Sequence, residues 1–93
     1  MNGMKLSNII RNTKKPKPRY LYAIKNGDYA GHFCAYILTT PEKHIFLTIP
    51  HNQKIEVPKN DFESGLKEGI VDFVEVLPKA VYNVIKAQYE ATN

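Results

Sequence analysis

Four turn-forming segments cut up the middle of the chain: KNGDYAG at 25–31, TTPEK at 39–43, PHNQ at 50–53 and PKN at 58–60. Between them lie runs of only four to seven residues, too short for substantial helices and the right length for strands. The run 20–24 is rich in tyrosine and branched residues, and 33–38 is apolar throughout. In 44–49, Ile45, Leu47 and Ile49 alternate with Phe46 and Thr48; in 54–57, Ile55 and Val57 alternate with Lys54 and Glu56. Period-two alternation sends the two sets to opposite faces of a sheet. Pro58 ends the fourth strand or marks it as an edge, because it cannot donate to a ladder.

Past Pro58 the periodicity changes. Asn60 and Glu63 have the spacing of a capping box, Phe62 and Leu66 share one helical face, and Gly69 supplies a left-handed stop. A short helix is predicted over about 61–68. Residues 70–77 are apolar at six of eight positions, which predicts a strand buried on both sides. Pro78 suits the first turn of a final helix. There Val81, Val84, Ile85, Gln88 and Tyr89 form a stripe with Tyr82 beside it, and docking is expected through Val81, Val84 and Ile85. Upstream, Leu6, Ile9 and Ile10 permit a short helix within 4–12, and Pro16 and Pro18 make the following stretch an extended arm. The expectation is a mainly β (α+β) protein. It is a small five-stranded SH3-like barrel over 20–93, with a short helix before the last strand, a C-terminal helix packed on it, and a basic arm over 1–19.

Ninety-three residues, 43% hydrophobic and 24% charged, suit one small globular domain. The longest apolar run falls far short of the ~20 residues of a membrane span, so no membrane association is expected. The opening MNGMKLSNIIRN has no continuous apolar segment of the kind a signal peptide needs. Cys34 is the single cysteine, which suits a reducing cytoplasm. Charge is segregated. The first 27 residues carry seven cations and no acid, while the rest carry six cations against nine acids. A basic arm on a mildly acidic body is an interaction-tail pattern.

The stretch IKNGDYAGHFCAYIL at 24–38 resembles the KOW motif of SH3-like barrels in ribosomal proteins and transcription elongation factors. The likeness covers roughly 20–62. It implies a loop that touches RNA, with Gly27 and Gly31 carried over, and Asn26, Tyr29 and His32 as further contacts. The family places a basic and a small residue after the second glycine, where this chain has His32-Phe33-Cys34. On physical grounds, Gly27 serves a positive-φ turn and Gly31 a close approach of backbone or ligand. Lysine, asparagine and isoleucine, all with AT-rich codons, make up 28 of 93 residues. Short lysine-rich chains of this kind resemble accessory proteins of large tailed phages, which would place the protein in the host cytoplasm.

Catalytic and metal chemistry find no support. His32, His44 and His51 lack a ligand spacing, and one cysteine leaves a structural zinc without partners. No serine or cysteine stands in a nucleophile motif, and Asp61, Glu63 and Glu68 read as helix capping and a solvated face. No enzyme activity, metal or cofactor is expected. Tyr20 and Tyr22 share one strand face, and Tyr36 and Phe46 lie on neighbouring strands. If the Ile/Leu face is the core, these rings face outward, where they can stack bases; alternatively, the last helix covers them as a second core. The function expected is nucleic-acid binding, RNA favoured. It would use Arg11, Lys14, Lys15, Lys17, Arg19 and Lys25, the turn residues Asn26, Gly27, Tyr29, Gly31 and His32, and Tyr20 and Tyr22. The alternative is a protein-binding inhibitor of a host enzyme, toxin or defence system, with an oligomer possible in either case.

Overall fold

A computed structural model describes residues 15–92. Strands β1 (Tyr20–Ile24), β2 (Phe33–Thr39), β3 (Lys43–Ile49) and β4 (Lys54–Pro58) are followed by helix α1 (Lys59–Glu68), strand β5 (Val71–Val76) and helix α2 (Lys79–Thr92). The expected short helix within 4–12 lies outside the described residues, as do Arg11 and Lys14. Strand ends follow the turn segments closely: β2 runs one residue further than expected, and β3 starts one residue earlier.

The five strands form one sheet in the order β4-β3-β2-β1-β5, antiparallel throughout. This is a mainly β fold with two helices, compatible with an SH3-like barrel. The sheet stays open, because β4 and β5 are its two edges and do not pair with each other. Helix α1 packs against β3, β4 and β5 and so bridges the gap. Gly65 allows close packing there, since a Cβ on it would come within 3.2 Å of the Val71 side chain.

Each face of the sheet carries its own core. Cross-strand pairing puts Tyr22 opposite Cys34, and Tyr36 opposite Phe46. Phe62 of α1 closes that row, with Tyr20, Ile24, Ile55, Val57, Leu66, Val71 and Phe73 around it. The opposite face gathers Leu21, Ala35, Ile37, Ile45 and Leu47 under Tyr82, Ile85 and Tyr89 of α2. The aromatic face is therefore a core, but α1 covers it and the last helix does not.

Three local expectations are corrected. Helix α1 starts at Lys59 with Pro58 as its N-cap and no side-chain cap, so Asn60 is inside the helix. The Lys59 amide is satisfied instead by the Glu42 carbonyl (3.1 Å). Strand β5 is an edge rather than a strand buried on both sides, and Val74 and Val76 are exposed while Val71 and Phe73 pack against the core. On α2, Val81 and Val84 are 45% and 62% exposed, and the docking stripe is Tyr82, Ile85 and Tyr89. Rotating the helix this way buries two tyrosine rings, which remove far more apolar surface from water than two valines. Among the described residues, no helix is long and apolar enough to cross a membrane.

Candidate nucleic-acid interface

The KNGDYAG segment folds into a tightly tied turn between β1 and β2. The Gly31 amide donates to the Ile24 carbonyl (2.9 Å), Ile24 to His32 (2.9 Å), and Ala30 to Gly27 (3.1 Å). The exposed Asn26 accepts at Oδ1 from the Gly27 amide at 2.9 Å. Both Gly27 and Gly31 sit at φ 89°, and a Cβ on either would meet nothing within 4 Å. Gly31 therefore serves backbone geometry as Gly27 does. The space around it is open, and no close approach of the described chain explains it.

Two side chains of that turn join a third from elsewhere. Tyr29 stands edge-on to His32 with ring centroids 6.0 Å apart, and His32 lies 4.9 Å from His51. His32 Nδ1 donates to the Tyr29 carbonyl (3.1 Å), which fixes the ring against the turn. His51, in the β3–β4 turn, was not among the expected contacts. Its signal was in the pairing: Phe33 opposite Ile49 brings the two turns to the same end of the sheet. The three rings give a surface on which a base can stack. The nearby cation is engaged, since Lys25 pairs with Asp72 at 3.0 Å.

The basic arm emerges at the other end of β1, about 17 Å away by strand rise. Lys15 and Lys17 are exposed, and Lys15 shares a cleft of about 330 Å³ with Pro16, Thr39, His44, Lys59 and Glu63. Arg19, half-buried in a left-handed conformation (φ 77°), accepts at its carbonyl from the Leu77 amide (2.7 Å), which brings Lys79 to the same end. Lys15 thus lies beside Lys59 and Glu63, and Lys79 follows β5 at the same end of the sheet; Lys59 and Lys79 are remote in sequence and were not expected there. Part of the arm belongs to the fold itself. Pro16 is buried, and the Tyr20 amide donates to the Lys17 carbonyl (3.0 Å).

His44, at the back of the cleft, is buried and shares a hydrogen bond through Nδ1 with Thr39 Oγ1 (2.8 Å), which in turn bonds the Tyr36 hydroxyl (2.6 Å). Burial lowers its pKa below the usual histidine value, Lys59 lowers it further, and Glu63 opposes both. Cys34 is a core residue, and burial pushes its thiol up to about 12.

The expected surface tyrosines fall elsewhere. Tyr22 is completely buried among Phe46, Phe62 and Phe73, so it cannot stack on a base. Tyr20 is half-buried, edge-on to Phe73 at 5.0 Å. The expected site therefore separates into two clusters at opposite ends of β1, one cationic and one aromatic, with the core between them.

By its fold the chain is a small antiparallel sheet protein with a helix on each face. Comparison with protein families, curated proteins and solved structures finds no match.

Proposed function

We propose that the protein is a non-enzymatic nucleic-acid binder, with RNA favoured, that holds the phosphate backbone at its arm end. The observation that carries this reading is that Lys15 and Lys59 line one cleft while Lys17, Arg19 and Lys79 lie at the same end of the sheet. Arg11 and Lys14 directly precede them in the sequence. Phosphate contacts of this kind give affinity and orientation without reading bases. The Tyr29–His32–His51 cluster, at the opposite end of β1, adds sequence-tolerant stacking. The KOW resemblance supports the same assignment for the turn, and an accessory role in a phage fits the composition.

The exposed valines of β5 and α2 favour a second reading, a protein-binding inhibitor, in which Val74, Val76, Val81 and Val84 contact a target. The test is binding of labelled single-stranded RNA to the intact protein over a range of salt. Three to six engaged cations give a slope of log affinity against log salt of about −2 to −4. Replacing Lys14, Lys15 and Lys17 with glutamine flattens that slope while leaving the buried Pro16 in place. If no RNA or DNA binds in a salt-dependent way, the nucleic-acid reading fails and the protein-binding reading stands.

A further inference from the structure

We propose that an apolar hollow beside α1 is a docking groove for the chain's own residues 5–11. The hollow holds about 350 Å³ between the Tyr29 turn, β4 and α1. Its walls are the buried Phe62 of α1 and Ile24, Ile55, Val57 and Val71, core side chains that α1 leaves partly uncovered. Asp61 and Glu68 are exposed at its rim, and among the described residues no cationic side chain lines it. An apolar groove whose charged lining side chains are both carboxylates suits an aliphatic segment flanked by cations. Residues 5–11, KLSNIIR, have that chemistry: Leu6, Ile9 and Ile10 fall at i, i+3 and i+4, with Lys5 and Arg11 at the two ends.

The dimensions agree. Asp61 and Glu68 are seven helical positions apart, about 10 Å, and Lys5 and Arg11 would be about 9 Å apart at helical rise. The described chain begins at Lys15 against Lys59 and Glu63, at the first turn of α1. From there to Arg11 an extended chain covers up to about 14 Å, and a helical 6–11 adds about 7.5 Å, so Leu6 can lie about 21 Å away. Helix α1 is about 15 Å long, so the segment reaches the whole groove.

This inference goes beyond the nucleic-acid reading and does not depend on it, because the groove and its occupant are both in the chain. The test is methyl NOE spectroscopy on the full-length protein without nucleic acid. Contacts are expected between the methyl groups of Ile9 or Ile10 and those of Ile55, Val57 and Val71. The double substitution Ile9→Asp, Ile10→Asp should abolish contacts from this segment to the groove while leaving the β1–β2 cross-strand contacts in place, which shows the fold intact. Reversing the rim with Asp61→Lys and Glu68→Lys should weaken the contacts of the otherwise unchanged chain. Absence of these contacts in the full-length protein overturns the proposal. So do contacts seen only between differently labelled copies, which assign the groove to a second molecule.

Discussion

The two faces of the sheet are built from different material and finished to different degrees. The α2 face is aliphatic in its strands and closed by a fourteen-residue helix, about 21 Å long, that lays two tyrosines across it. The α1 face is aromatic, with Tyr22 edge-on to Phe46, Phe62 and Phe73 at 5.2–5.9 Å, under a helix of ten residues and about 15 Å. A five-stranded sheet is roughly 19 Å wide. The longer helix can span it, whereas the shorter one leaves a hollow. The face with the larger rings is thus the one with room left in it, and it also holds the buried histidine and a buried hydroxyl.

The largest effect that can break this comparison is at Phe62, the single aromatic that α1 contributes to the fully buried core. Phe62→Ala should cost about 3–5 kcal/mol in urea unfolding, as for large-to-small core changes in general. A cost under about 1 kcal/mol would mean that α1 is not the lid of that face. Next come the turn glycines. Gly27→Ala and Gly31→Ala should each lower stability by about 1–2 kcal/mol, because a Cβ at positive φ strains the backbone. Two comparable losses, with RNA affinity retained, would confirm that Gly31 is there for the turn rather than for a ligand.

A smaller effect separates the faces by pH. The folded state holds His44 neutral below the usual histidine pKa, so the unfolded chain takes up the proton first. Stability should be constant above about pH 7 and fall as pH drops below the unfolded value near 6.5. Melting temperatures from pH 7.5 to 5 measure this, and the acid-side fall should shrink in His44→Asn. The smallest effect has the opposite sign. Tyr22 is completely buried, and among the described residues its hydroxyl has no hydrogen-bond partner. Burial raises its pKa, so the group stays protonated and unsatisfied. Tyr22→Phe should therefore raise stability by up to about 1 kcal/mol; a loss instead would mean that the hydroxyl has found a partner.

Of the candidate site, the parts legible in the sequence were those set by neighbours in the chain. The glycine-bounded turn is a local feature, and Gly27 takes the positive φ expected of it. Tyr22 was misassigned because alternation says which side chains share a face and not whether that face is covered. His51, Lys59 and Lys79 were missed because each reaches its cluster only through strand pairing or helix placement.

The sequence by itself determined where the elements lie. Proline, glycine and asparagine at the turns act within a few residues, and their chemistry marks strand ends to about one position. It also determined the two-faced character of the strands, since a period of two leaves no choice about which side chains travel together. Only the tertiary structure decided which helix covers which face, that β5 is an edge, and that Tyr82 and Tyr89 face inward while Val81 and Val84 face water. The stripes through Val81 and Tyr82 both fit a helical repeat, and both contain Ile85. Choosing between them depends on the total surface removed from water against a distant sheet, a quantity that no short stretch of chain contains.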